Sequence, residues 1–74
     1  MIRFFLRELV AEKEFREKRR ISLDEVARES GVSRNTLTRI ANTWGYSTTT
    51  ENLDRLCKYF GCALADLVVY VEDE

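Results

Sequence analysis

The chain has 74 residues, of which 45% are hydrophobic and 34% charged, with three Gly, no Pro and no His. This length and composition indicate one globular domain, residues 1–74, close to the lower size limit for a stable core. No run approaches about 18 consecutive apolar residues, which excludes a membrane span. The start MIRFFLRELVAEKEF is charged every few residues and is not expected to be a signal peptide.

Charge is distributed unevenly along the chain. Residues 1–45 contain ten Lys and Arg against seven Asp and Glu, a balance of +3. Residues 46–74 contain two against six, a balance of −4, so that the two parts sum to the net charge of −1. Any basic surface is therefore expected from the first part of the chain, although such asymmetry also fits an ordinary solvated surface.

The chain has few groups suited to metal binding or catalysis. Cys57 and Cys62 are the only cysteines, and a metal site usually needs roughly three or four ligands. We expect two core thiols in a reducing compartment, with no metal, disulfide or cofactor. The chain has no His to activate either thiol as a general base, so an enzyme is not expected.

The first predicted helix begins near the N-terminus. Ile2, Phe5, Leu6, Leu9 and Val10 have the three-four spacing of one buried stripe. The segment MIRF can instead be a short strand paired with VVYV, which ends the chain's last apolar run and is rich in β-branched residues. The sequence pattern leaves residues 1–4 and 68–71 open between these two structures.

Two short helices are predicted next, joined by a tight turn. Ser22 is a suitable N-cap, and Glu25 three residues later predicts a capping box. Gly31 is placed to end this helix with a positive φ, and Ser33 caps the following one. So short a turn forces the helices to cross steeply, which indicates a helix-turn-helix at about residues 22–42.

Two further helices are predicted in the second half. One starts within STTTEN and ends at Gly61, and the last starts near Ala63. The loop before them contains Trp44 and Tyr46, which we expect to pack on the core, since aromatic side chains usually supply apolar bulk. The alternative is that they contact a bound macromolecule.

The third helix has an unusual polar face. At about 100° per residue, one half carries the small and aliphatic residues. The other half has hydrogen-bond donors, two cations and no acid: Arg34, Asn35, Thr38, Arg39 and Asn42. Such a face suits the DNA major groove, because Arg pairs with guanine, Asn with adenine, and Thr with a base or the thymine methyl. The alternative is a solvated polar face that lacks acids by chance.

The segment from Leu23 to Asn42 resembles the helix-turn-helix of the Cro and lambda-repressor-like (XRE-type) family. The matching residues are Ala27 where the helices cross, Gly31 in the turn, and Val26, Leu37 and Ile40 between the helices. LDRLCKYFGCALADLVVY resembles the family's fourth and fifth helices. The resemblance implies an all-α, compact five-helix lambda-repressor-like domain, with a short terminal β-strand pair as an option.

The resemblance also implies a function, namely sequence-specific binding of double-stranded DNA by a small transcriptional regulator, most simply a repressor. The base-reading residues would be Arg34, Asn35, Thr38 and Arg39. Phosphate contacts are expected from polar residues around the motif: Ser22, Ser33, Asn42, Thr43, Ser47 and Thr48. The setting would be the cytoplasm of a prokaryotic cell, with the chain encoded there or by a phage or plasmid.

Specific recognition normally needs two half-sites, so a homodimer is expected. A helical wheel extended over residues 2–15 puts Phe4 and Phe15 opposite the buried stripe, as a second apolar strip that can form the dimer. The alternatives are a dimer through the MIRF and VVYV strands, or Phe15 folding back on its own chain. A protein-interaction module on the same fold, such as an antitoxin or adaptor, is the competing function.

Overall fold

The computed structural model describes residues 1–72 and consists of five helices closed by a two-stranded antiparallel sheet. In chain order the elements are β1 (Ile2–Phe4), α1 (Leu6–Glu17), α2 (Leu23–Ser30), α3 (Arg34–Asn42), α4 (Thr50–Phe60), α5 (Leu64–Leu67) and β2 (Val68–Tyr70). The predicted five-helix fold is confirmed, together with the terminal strand pair. None of the helices within residues 1–72 is long and apolar enough to cross a membrane.

Each helix contributes one side chain with almost no exposed surface to a single core. These side chains are Leu6 of α1, Val26 of α2, Leu37 of α3, Leu56 of α4 and Leu67 of α5. Burying an aliphatic side chain of this size contributes about 1.5–3 kcal/mol. Stability therefore depends on the helices meeting at one point, because no helix here could form alone.

The helix-turn-helix forms because each helix has a local start and stop signal. Ser22 Oγ accepts the backbone N–H of Glu25 at 3.1 Å, and Ser33 Oγ accepts that of Thr36 at 3.1 Å. Between them Gly31 takes φ +83°, a conformation that costs a residue with Cβ about 1 kcal/mol or more. Both predicted caps and the predicted glycine stop are confirmed.

The Glu25 carboxylate does not complete the predicted capping box but pairs with the α1–α2 connection. Arg19 Nη1 and Nη2 donate to its two oxygens at 2.9 and 2.6 Å. This charged, bidentate partner is stronger than one backbone N–H. The hydrogen bonds from Arg19 hold the pKa of Glu25 below its usual range. Glu14 adds a second tie, since its carboxylate accepts the Ile21 N–H at 2.8 Å.

The N-terminal residues form a strand and not the start of α1. Ile2 pairs with Tyr70 and Phe4 with Val68, and the Phe5 N–H donates to the Leu67 carbonyl at 2.8 Å. Phe4 is half-buried and packs against the core from β1. Ile2 therefore does not begin the inward stripe of the first helix, because VVY supplies a strand partner from a distant part of the chain. Leu6, Leu9 and Val10 of the predicted stripe do lie in α1, buried in the core or packed against it.

The predicted apolar strip of Phe4 and Phe15 is also wrong, for the same reason. Phe4 lies in β1, whereas Phe15 lies in α1 with 87% of its surface exposed. A helical wheel relates two residues only if one helix contains both. Phe15 does not fold back on the chain either, so it is an exposed aromatic without an assigned partner.

The α3–α4 loop divides its two aromatic residues between core and solvent. Tyr46 is half-buried and packs against the core, as predicted. Trp44 is 91% exposed, so the prediction that it packs on the core is wrong. Gly45 lies between them at φ +68° and turns the chain, which gives the two aromatic side chains different environments.

Both thiols pack against the core, as predicted. Cys57 lies in α4 and Cys62 follows Gly61, which ends α4 at φ +64°. The two side chains are half-buried against the core and form no disulfide. Burial raises the pKa of the Cys62 thiol, so its reactive thiolate form is disfavoured at neutral pH.

The Arg19–Glu25 pair predicts how stability changes with pH. A carboxylate whose pKa is lowered by folding stabilises the native state above its unfolded pKa, and this contribution is lost as pH falls through the folded pKa. Glu25→Gln should therefore lower the melting temperature at pH 7 and make its fall below about pH 4 shallower, as measured by circular dichroism. Glu29→Gln on the same helix is the control. Equal acid profiles for the wild type and Glu25→Gln would contradict this assignment.

Candidate nucleic-acid interface

One face of α3 is buried and the opposite face is exposed. Leu37 and Ile40 are buried in the core. Arg34, Asn35 and Arg39 are exposed, and no acidic residue lies in the helix. This is the division that the sequence periodicity predicted. The exposed face of α3 is therefore rich in hydrogen-bond donors that take no part in core packing.

The side chains of Asn35 and Arg39 form no hydrogen bond or ion pair with any residue in the described range 1–72. No hydrogen bond or ion pair therefore fixes these two side chains, and every donor on them is available to a ligand. Asn can offer a paired donor and acceptor, and Arg a planar set of donors. Both patterns match base edges in a major groove.

Arg34, in contrast, is held by two side chains. Its Nε lies 3.0 Å from Asp24 Oδ1 in the first turn of α2, and its Nη1 donates to the hydroxyl of Thr38. That hydroxyl in turn donates to the Arg34 carbonyl at 3.0 Å. The one donor of the Thr38 hydroxyl is thereby used within the helix, so the methyl group and one oxygen lone pair are the parts of Thr38 left for an outside contact.

The C-terminal end of α3 is bound by an arginine that sequence reasoning did not identify. Arg7 of α1 donates from Nε to the Ala41 carbonyl at 3.2 Å and from Nη2 to Asn42 Oδ1. A cation at a helix C-terminus also interacts favourably with the helix dipole. Because Arg7 occupies the amide oxygen of Asn42, the amide NH₂ group remains as a donor. The 34-residue separation of Arg7 and Ala41 left no sequence signal for this contact.

The hydroxyl residues predicted to bind phosphate have different local roles. Ser22 and Ser33 cap α2 and α3, and Ser33 Oγ also donates to Thr36 Oγ1 at 2.8 Å. Thr48 is half-buried and accepts the Asn52 side-chain amide at 3.1 Å. Thr43 and Ser47 are exposed in the α3–α4 loop. Of the exposed hydroxyl residues, Ser22 and Ser33 therefore lie at helix starts, whereas Thr43 and Ser47 lie in the loop that follows the C-terminal end of α3.

The turn itself is held in place by α4. Arg55 Nη1 donates to the Gly31 carbonyl at 3.0 Å, and Arg55 Nη2 donates to Glu51 at 2.7 Å. Arg55 therefore satisfies a carbonyl that α2 leaves unpaired at its end. No group of three or more Cys, Asp or Glu side chains in the described part of the chain is arranged to hold a metal ion.

A family model for the Cro/C1-type helix-turn-helix DNA-binding domain matches residues 13–73. The chain belongs to this family. The match includes the last five residues of α1 and all of α2 to α5 and β2, and leaves β1 and the first part of α1 outside it. This agrees with the resemblance read from the helix-turn-helix residues. Searches of curated proteins and of solved structures find no significant match.

Within this Cro/C1-type domain, Arg7 should stabilise the end of α3. Arg7→Ala removes two hydrogen bonds to that end and should lower the free energy of unfolding by about 1 kcal/mol. Hydrogen exchange at the Thr43 amide, which donates to the Arg39 carbonyl, should become faster. Arg3→Ala is the matched control, since Arg3 pairs with Glu8 and lies over the Phe5 ring. Equal acceleration in both variants would contradict the proposed role.

Proposed function

We propose that this domain binds double-stranded DNA sequence-specifically, with α3 in the major groove, and acts as a small transcriptional repressor. The observation that carries the proposal is the exposed, acid-free face of α3 on which Asn35 and Arg39 are unpaired among residues 1–72. In the isolated domain these two side chains contribute no hydrogen bond or ion pair to the fold within residues 1–72. On DNA each side chain of this face has a matching base edge.

Different base contacts are proposed for the four residues. Arg34 and Arg39 each donate two hydrogen bonds to a guanine, and Asn35 pairs with an adenine. Thr38 packs its methyl group against a thymine methyl, because its hydroxyl is bonded within α3. Specificity would thus come from three polar readers and one apolar contact.

Phosphate contacts would fix the position of α3 along the groove. We assign direct donors to Asn42, Thr43 and Ser47 at one end of α3 and to Ser22 at the start of α2. Ser33 and Thr48 contribute by holding the helix start and the loop. Because none of these groups is cationic, their counterion release is small and affinity for random DNA should be weak.

A homodimer is proposed through the terminal sheet and not through α1. Ile2, Val69, Tyr70 and Val71 are large apolar residues exposed around this sheet. Both strands of a two-stranded sheet are edge strands, whose outer N–H and C=O groups can pair with another chain. Joining two such sheets would cover the apolar residues and relate two copies of α3 by a two-fold axis, as a symmetric operator requires.

Charge on the edge strand should break this dimer. Val69→Lys places an ammonium group in β2, where burial against a second copy would be costly. Light scattering at high micromolar protein should give a dimer mass for the wild type and a monomer mass for Val69→Lys. Phe15→Ser removes the other exposed aromatic candidate and should remain dimeric. A monomeric wild type, or loss of the dimer in Phe15→Ser alone, would contradict the sheet interface.

As a repressor the domain would occupy DNA that RNA polymerase needs, which requires no chemistry and no cofactor. We place it in the cytoplasm of a prokaryotic cell, where operator DNA is directly accessible, with the chain encoded by the cell, a phage or a plasmid. Control of its amount, or a partner protein, would then set the level of repression.

A protein-interaction module is the second candidate function. Trp44 and Phe15 favour it, since they are 91% and 87% exposed and large aromatics are enriched at protein interfaces. The net charge of −1 is also compatible with a protein partner. In this alternative the donors on α3 would be a solvated surface.

Selection of bound duplexes from a random DNA pool distinguishes the two functions. The purified protein in about 0.1 M salt, where nonspecific attraction is screened, should enrich an inverted repeat with half-sites about one helical turn apart. No enrichment, with weak retention that added salt abolishes, would overturn specific DNA binding and favour the protein partner.

The proposed base readers predict a mutational pattern on the selected site. Arg39→Ala should cost about 1–3 kcal/mol of binding and relax preference at one base position in each half-site. Arg16→Ala removes the same charge from α1, where Arg16 pairs with Glu12, and should leave every base preference intact. Gel-shift titration on single-base variants measures both. An unchanged preference in Arg39→Ala would exclude direct readout by that residue.

A further inference from the structure

The first turns of α2 and α3 are joined by an exposed acid–base pair. Asp24 lies in the first turn of α2, and Arg34 is the first residue of α3. Their contact, Arg34 Nε to Asp24 Oδ1, is 3.0 Å long. Asp24 is the one acidic residue that contacts the polar face of α3 among the described residues.

Stability does not account for this pair. The Asp24 side chain is 78% exposed, and exposed ion pairs contribute little to folding. Because the carboxylate contacts Arg34 at the start of α3, it would lie near the DNA if α3 entered the major groove, and it would repel the phosphates. An acid at that position weakens binding unless it supplies something else.

The hydrogen bonds of Arg34 indicate what Asp24 supplies. A guanidinium has five N–H donors in a fixed plane. Asp24 occupies the one on Nε, and Thr38 occupies one on Nη1. The free donors of Nη1 and Nη2 then form the outer end of the group. Two donors side by side are the pattern that pairs with guanine O6 and N7.

We propose that Asp24 is a specificity-determining positioning residue. It orients Arg34 for an end-on, bidentate contact with guanine, and it opposes binding wherever Arg34 finds no such partner. Asp24 therefore lowers affinity for random DNA and raises preference for one base. This inference rests on the proposed DNA-binding function and extends it to a residue on α2.

Asp24 affects base choice because it holds the Nε group of Arg34. Without it, Arg34 can turn its Nε and Nη2 edge outward or follow a phosphate, and the arginine remains attractive to DNA without reading a base. Removing the carboxylate thus changes affinity and selectivity in opposite directions. A merely structural role of Asp24 would lower both together.

The test compares four variants on the duplex selected by the wild type and on random DNA. Arg34→Ala first identifies the base position that Arg34 reads. Asp24→Asn should then reduce preference at that position about tenfold, while affinity for random DNA rises about twofold. Glu29→Gln, which removes the same charge elsewhere on α2, should leave base preference unchanged. In Arg34→Ala, the further change Asp24→Asn should have no effect on base preference.

Outcomes for the two proposals are separable. If the wild type selects no sequence, the DNA-binding proposal and this inference both fail. If the wild type selects a site but Asp24→Asn keeps the wild-type preference at the Arg34 position, only the inference is overturned. Melting temperatures of the variants, with Asp24→Ser as a second substitution at the same position, establish that any loss of preference occurs in folded protein.

Discussion

The contact of α2 with α3 across a short turn determines what the rest of the molecule can do. Val26, Val32 and Leu37 have almost no exposed surface, so the two helices are fixed at the angle that this packing allows. A turn ending at Ser33 is too short for the helices to lie side by side. The face of α3 opposite Leu37 must therefore point away from the protein. Arg55 of α4 reinforces this arrangement by binding the Gly31 carbonyl.

Several arginines of this small domain are paired with carboxylates, and the chain has no excess of positive charge. The net charge is −1, yet several arginines have carboxylate partners: Arg19 with Glu25, Arg55 with Glu51 and Arg34 with Asp24. Arg39 remains unpaired among residues 1–72, on the one helix without acids. Such a distribution would favour recognition by hydrogen bonds over general attraction to phosphates, because few cations are left for counterion release.

Sequence reasoning succeeded where the signal is local and failed where it depends on distant partners. The caps at Ser22 and Ser33 and the stop at Gly31 involve residues three or fewer positions from the helix ends, so spacing alone predicted them. The family resemblance rested on the same short segment.

Glu25 fits a capping box equally well in sequence, but Arg19 competes for its carboxylate only in the folded chain. Similarly, MIRF forms β1 because β2 is brought to it by the whole helical core, and this removed Phe4 from the predicted helix. The links from Arg7 to Asn42 and from Asp24 to Arg34 join different helices and leave no periodic pattern. Trp44 is exposed although its residue type favours burial, since the turn at Gly45 separates it from Tyr46.

An NMR titration with the selected duplex would show whether the exposed face of α3 is the surface that meets DNA. Side-chain signals of Asn35 and Arg39 should shift strongly, because both have donors free in the isolated protein. Amides of the α3–α4 loop should shift with them, while the ring signals of Phe15 on α1 remain unchanged. A scrambled duplex should produce only weak shifts that disappear as salt is added. Shifts centred on Phe15 or the sheet, with the Asn35 and Arg39 signals unmoved by either duplex, would contradict the assignment of α3 as the DNA-reading element.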